Sequence, residues 1–286
     1  MKISIIMRSH NDMPLISETL GMLERQTHPF ELVALDNASA DGTLDALRQH
    51  TEHIVNIPKG QYVPGRVLNT GMAESTGDIV AFLNSDCTPE NEQWLENLVR
   101  GFDGEKVAAV FGRQLPRPDC HPLHAKDTDA TYGDGRLQER WKHCFSMASS
   151  AIRRSVWESM PFNEELQYSE DIEWTWKARQ KGYEIRYVCD SVVFHSHNYS
   201  VAQFYKRHYG EGKAEAVFFD WSGWERTWFR YSLLPLGRQI ASDWKYALGN
   251  RNVRLLLQAP VYRVSQMLGR RAGFLDGWAG KTGASR

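Results

Sequence analysis

Over residues 1–115, short apolar runs alternate with stretches whose apolar residues recur at helical spacing. Most of the apolar runs end in a polar cluster. The runs at 3–7, 30–35, 54–57, 79–83 and 107–111 are continuous enough to read as buried strands. Between them, 13–26, 44–50, 67–74 and 90–103 read as helices, with 60–65 a loop. This alternation predicts an α/β fold with a mostly parallel, Rossmann-like central sheet flanked by helices. Sheets of that kind bind ligands outside the carboxyl ends of their strands. Arg8-Ser9-His10-Asn11, Asp36-Asn37-Ala38-Ser39 and Asn84-Ser85-Asp86 each follow a strand, so they are expected to meet in one crevice.

Beyond residue 115 the pattern loosens. Residues 116–140 are polar and rich in Pro, Gly, His and Asp, which predicts a loop over the sheet. An apolar segment returns at 146–156, a helix is expected at 172–181, and a strand within 185–194 is followed by His195-Ser196-His197. From about residue 200 the chain reads as helical and aromatic. The 286 residues, 42% of them hydrophobic, suffice for one large domain with an appendage. A net charge of −1 points to no nucleic acid. The four cysteines form no CxxC pair, which excludes the common zinc and redox motifs. The short apolar start lacks a secretory pattern, and no run of 18 apolar residues is present. A cytoplasmic chain is expected, or one lying on the inner face of a membrane rather than across it.

Taken singly, the polar residues admit two readings each. Asp86 at a sheet edge suits Mg2+ or Mn2+, which take oxygen ligands, but it could equally cap the following turn. Glu170 and Asp171 before a helix fit a general base, and also fit a helix N-terminus. His195 and His197, at a strand end and on one side of it, offer a metal ligand. Asp36 and Asn37 could read the edge of a base or form an Asx turn. Arg66 could meet phosphate, with Asn69 on the same helical turn, or both could simply open a solvated helix.

Order and spacing are more specific than any single residue. The strand-linked clusters above, then Arg66-Val67-Leu68-Asn69-Thr70-Gly71, the strand running into Asn84-Ser85-Asp86, and Ser169-Glu170-Asp171-Ile172-Glu173-Trp174 together resemble the family 2 glycosyltransferases of the GT-A fold. The resemblance covers roughly residues 1–210, and Asn198-Tyr199-Ser200 with Tyr205-Lys206-Arg207 looks like bacterial, rhamnosyltransferase-like members. It implies a nucleotide-sugar-binding half over 1–115 and an acceptor-binding half over 116–210. It also implies a nucleoside-diphosphate donor and a glycan or lipid-linked acceptor. Arg8, Asn11, Asp36, Asn37, Arg66, Asn69, Asn84 and Ser85 would bind the donor. Asp86, with His195 or His197, would bind Mg2+ or Mn2+. Asp171 would be the base, with Glu170 beside it. The chain departs from the family's Asp-x-Asp pattern at its first position, which is Asn84 here.

Residues 211–286 carry 12 Lys and Arg against 6 Asp and Glu, a local charge of +6 in a chain whose remainder is −7. Trp221, Trp224, Trp228, Trp244 and Trp278 lie among Arg226, Arg230, Arg238, Arg251, Arg254, Arg263, Arg270 and Arg271. Leu233, Leu234, Leu236 and Ile240 follow a helical rhythm. This segment is expected either to meet a membrane interface or to form a helical subdomain, packed on the sheet or on a second subunit, with solvated arginines. Two rival functions are a nucleotidyltransferase, for which Arg8-Ser9-His10-Asn11 lacks the phosphate-loop glycines, and an inactive sugar-nucleotide binder.

Overall fold

The computed structural model describes residues 1–140, 143–219 and 233–282. It divides into two compact units. The first comprises Met1–Cys120, Ala125–Leu166 and Glu170–Ser196; the second comprises His121–His124, Gln167–Ser169 and His197–Arg286.

Eight strands form one sheet in the first unit: β1 (Ile3–Ser9), β2 (Glu31–Asp36), β3 (Ile54–Asn56), β4 (Ile79–Asn84), β5 (Thr88–Pro89), β6 (Val107–Leu115), β7 (Ser149–Arg153) and β8 (Glu184–Phe194). Their spatial order is β3-β2-β1-β4-β7-β6-β8-β5. β3, β2, β1 and β4 are parallel, as are β6 and β8, while β7 and β5 pair antiparallel with their neighbours. The continuous apolar runs are explained by burial on both faces. Ile3, Ile5 and Met7 point into one cluster with Ile16, Leu20, Trp94 and Leu98. Ile6, Val33, Val80 and Phe82 point into the other with Leu68, Met72 and Trp174. Helices therefore cover both faces: α1 (Leu15–Leu23) and α4 (Trp94–Arg100) on the first, α3 (Pro64–Glu74) and α8 (Glu170–Gln180) on the second. α3 lies so close that a Cβ on Gly71 would collide with Ile6 and Leu35.

Register does the work of assembly. Ser9 stands opposite Asp36 and Arg8 opposite Asn84, so clusters far apart in sequence share one sheet edge.

Several expectations are corrected. The predicted loop over 116–140 contains two helices, α5 (Pro122–Tyr132) and α6 (Arg136–Arg140); α2 (Thr43–Arg48) and α7 (Arg154–Ser159) complete the set in this part of the chain. The apolar segment at 146–156 holds β7, inserted antiparallel between β4 and β6. The loop assigned to 60–65 ends sooner, because Pro64 opens α3, where its missing N–H costs nothing. α8 begins at Glu170 rather than 172, which places both carboxylates in its first turn.

The second unit is helical, with α9 (Val201–Phe218), α10 (Leu233–Gly249) and α11 (Val253–Thr282). α9 runs across residue 210, the end of the region that the family resemblance covers. Its N-terminus carries a capping box, Ser200 with Gln203. Phe204, Leu255, Ala259 and Tyr262 form its core with Leu123. Trp221, Trp224, Trp228, Arg226 and Arg230 lie outside the described residues. Of the arginines expected in solvent, Arg263 is instead buried against Asp243, at 2.7 Å, and Arg270 is paired with Glu215.

α9 and α11 approach through glycines. A Cβ on Gly269, Gly273 or Gly277 would land on the carbonyls of Tyr205, Tyr209 or Lys213. Backbone cannot yield as a flexible side chain can. Gly273→Ala is expected to destabilise the second unit by about 3 kcal/mol, the upper range for overpacking a tight site, read from its thermal transition.

Candidate active site

Arg8 sits at the end of β1 with three acceptors within reach. Its Nη2 donates to Asn84 Oδ1 at 3.0 Å, its Nη1 donates to Tyr62 Oη at 3.4 Å, and the same Nη1 lies 3.6 Å from Glu170 Oε1. Burial opposes the guanidinium's charge, but Tyr62, Glu170 and Asp171 more than offset it. Arg8 therefore links the end of β4 to the start of α8. Asn84, at the position where a carboxylate was expected, is the neutral member of this network. An Asp there would draw the guanidinium into a second ion pair and weaken its hold on Glu170.

Glu170 and Asp171 open α8 directly after Ser169, whose φ of +59° is unusual for a residue with a Cβ. Burial, then the neighbouring Asp171 charge, pushes the Glu170 carboxyl up to about 7, with Arg8 opposing. Burial likewise raises Asp171, against hydrogen bonds from the Ile172 and Met147 N–H groups at 2.8 and 3.2 Å. The buried Glu170 and the half-buried Asp171 beside it share their protons as a pair. Such a pair beside a single arginine is equipped to accept a proton near neutral pH.

The second chemical centre lies past β4. Thr88 pairs antiparallel with Phe194, which brings residue 86 alongside residue 195. Asp86, Cys87 and His195 offer donor atoms within 4.8 Å of one another. His195 Nε2 is 3.7 Å from Asp86 Oδ2, and its Nδ1 meets Gln114 Oε1 at 2.8 Å. A carboxamide oxygen at Nδ1 selects the tautomer protonated there, leaving the Nε2 lone pair on the Asp86 side. Cys87 is different: burial, and then the Asp86 charge, holds its proton on the sulfur. A thiol is a poor ligand, so the usable set is one carboxylate oxygen and one imidazole nitrogen. That set fits Mn2+, and Mg2+ with more of its own waters, and leaves positions for phosphate oxygens.

The remaining predicted residues divide. Asp36 is buried, accepting from Ser9 Oγ at 3.1 Å and from the Ser39 N–H at 3.0 Å, so it braces the loop that follows β2. Asn37 is tied to β1 through its own backbone, its N–H donating to the Ser9 carbonyl. Asn11, at φ +55°, accepts from the Ala40 N–H at 2.8 Å and joins the two loops. Ser85 is buried and donates to Asp12. Asn69 is engaged in the scaffold. Its amide donates to Phe162 O and Glu164 Oε1 and accepts from Trp157 Nε1 and Phe162 N, which fills its capacity. Arg66 is exposed, 3.7 Å from Glu164. β8 ends at Phe194, so the pleat expected to align the two histidines does not reach them. His197 belongs to the second unit, where its ring packs on Tyr199.

Three residues here went unmarked in the sequence. Gln114 orients His195. Arg117 donates to the Asp86 carbonyl at 3.1 Å and to Thr88 Oγ1 at 2.7 Å, fixing the loop that carries Asp86. Asp12 holds Ser85 and accepts from the His10 N–H at 2.7 Å. Only Asp12 carried a signal, as a carboxylate within four residues of a strand end.

Comparison with known proteins places this geometry. The sequence pattern that defines glycosyl transferase family 2 matches residues 4–160. The O-antigen chain rhamnosyltransferase WbaN of Salmonella anatum is 31% identical over 208 residues, 68% of this chain and 66% of that protein. RfbN of Salmonella typhimurium, also an O-antigen chain rhamnosyltransferase, is 31% identical over 237 residues, 78% of this chain and 74% of that protein. Among solved structures, the mannosyltransferase PcManGT from Pyrobaculum calidifontis, in complex with GDP-Man and Mn2+, superimposes with a TM-score of 0.64 at 19% identity, covering 96% of this chain and 86% of that one. Glucosyl-3-phosphoglycerate synthase from Mycobacterium tuberculosis, with Mn2+, UDP-glucose and phosphoglyceric acid, gives 0.54 at 20% identity, covering 72% and 75%. At those identities the structural matches speak for the GT-A fold.

Proposed function

This chain belongs to glycosyl transferase family 2, and we propose that it transfers a sugar, with inversion, from a UDP- or dTDP-sugar to a hydroxyl of a glycan or lipid-linked acceptor in bacterial surface polysaccharide synthesis. The observation that carries this reading is the adjacent Glu170–Asp171 pair, joined through Arg8 to the strand end that leads to Asp86. In this reading Asp171 takes the proton of the acceptor hydroxyl as that oxygen attacks the anomeric carbon. Glu170, paired with Arg8, positions the base and keeps its proton affinity high. The loops bearing Asn11, Asp36 and Asn37 face the nucleoside, and Arg66 approaches the phosphates. A divalent cation bound by Asp86 with His195 would neutralise the departing diphosphate. The intact carboxylate pair favours an active enzyme over a binding protein, and family membership favours sugar transfer over nucleotidyl transfer.

The test is release of nucleoside diphosphate from each donor, with the product's anomeric configuration read by NMR. The pH profile adds a sharper check. A base works deprotonated, and burial raises the Asp171 carboxyl, so the rate should fall as pH drops at a point above the ordinary carboxylate range near 4. Glu170→Gln removes the neighbouring charge and should move that limb to lower pH. An acid limb that stays near 4 in the native chain would remove the pair from the proton transfer.

A further inference from the structure

α10 and α11 are amphipathic in the inverse sense: each turns an apolar stripe outward. On α11, Val253, Leu257, Val261, Val264 and Leu268 recur at spacings of four, four, three and four, which is one face of a helix. All five are exposed, Leu257 at 76% and Val253 at 71%. The opposite face holds Leu255, Ala259, Tyr262 and even the buried Arg263. On α10, Leu233, Trp244 and Leu248 are exposed in the same manner while Leu236, Asp243 and Ala247 are buried. The Trp244 indole donates to the Leu256 carbonyl at 2.9 Å, tying the two stripes side by side. Apolar faces of this extent mark an interaction surface.

Charge identifies what covers it. Arg254 and Arg271 lie on the edges of the α11 stripe, and Arg238 and Lys245 flank the α10 stripe; all four are exposed. Over the described residues 233–281 the acids are Asp243, buried against Arg263, and Asp276, which accepts from the Tyr209 hydroxyl. A second copy of this chain would bring the same cations against themselves. An anionic surface would be attracted to them. Among the described residues no helix is long and apolar enough to cross a membrane.

We propose that the exposed face of α10 and α11 docks on an anionic lipid bilayer, with the helices in the interface plane. The apolar stripe enters the acyl boundary, Trp244 sits at headgroup level, and the flanking cations meet the phosphates. This surface is independent of the transfer reaction, and Asp171→Asn should leave it unchanged.

The experiment is co-sedimentation of the full chain with phosphatidylcholine vesicles, with and without phosphatidylglycerol. Binding is expected with phosphatidylglycerol, weakening as salt screens the attraction. The pair Leu257→Gln with Val261→Gln should cut partitioning by about tenfold or more, as should Arg254→Glu with Arg271→Glu. All four side chains are exposed, so the circular dichroism melt should be unchanged. Failure to bind anionic vesicles, or binding indifferent to these substitutions, overturns the proposal. So does a dimer in sedimentation velocity that the same substitutions dissolve, because that would assign the face to a second copy.

Discussion

Asp171→Asn is expected to lower turnover by about 10²- to 10⁴-fold, the usual worth of a well-placed general base. The side chain keeps its shape but can no longer accept the acceptor's proton. One local cost accompanies the change. Both Asp171 oxygens accept backbone N–H groups, from Ile172 and Met147. An amide NH2 must face one of those donors, losing a hydrogen bond worth about 1 kcal/mol. That loss is small beside the kinetic effect and should appear as a modest drop in melting temperature. Affinity for the nucleotide with Mn2+, measured by calorimetry, should be retained, because Asp171 accepts from the Ile172 and Met147 N–H groups and not from the loop that carries Asp86. Near-native turnover in this variant would dismiss Asp171 as the base.

Asp86→Ala should act on the other half of the site. The alanine keeps the backbone carbonyl that Arg117 holds, so the loop should stay in place. What is lost is the oxygen donor opposite His195. Even residues that merely support metal ligands cost about 10–100-fold in metal affinity when changed, so loss of a ligand should weaken Mn2+-dependent nucleotide binding by at least about 100-fold. Binding without metal should change little. A manganese titration indistinguishable from the native chain would take Asp86 out of the metal site. The two variants thus separate proton transfer from charge neutralisation: one spares binding and loses turnover, the other loses metal-dependent binding first.

Asn84 illustrates why the site needed both sequence and structure. In the sequence it stood only as a departure from the Asp-x-Asp pattern. In the fold it accepts from Arg8, which also meets Tyr62 and Glu170. The neutral side chain leaves more of the arginine's charge for the carboxylate pair. Asn69 teaches the reverse lesson: a polar residue at a promising spacing proved to be holding residues 157–164 in place.

Local periodicity was enough to locate most strands and helices of the first 115 residues, the parallel core and the carboxyl-end clusters at Arg8, Asp36 and Asn84. It works there because each buried run records its own burial, and βα order constrains the topology. It had no purchase on β7, which enters antiparallel between β4 and β6, or on the two-residue β5, which draws His195 to Asp86. The partner of a strand is chosen by contacts across the whole chain, and a short apolar run looks the same beside any neighbour. The same holds for Gln114, Arg117 and the outward-facing stripes of α10 and α11. Amphipathic spacing was readable, but which face meets the core depends on where the glycines of α11 seat it on α9. The residue types able to do the chemistry were thus determined by the sequence, and their pairing, protonation and exposure by the tertiary contacts that bring distant residues within a few ångströms.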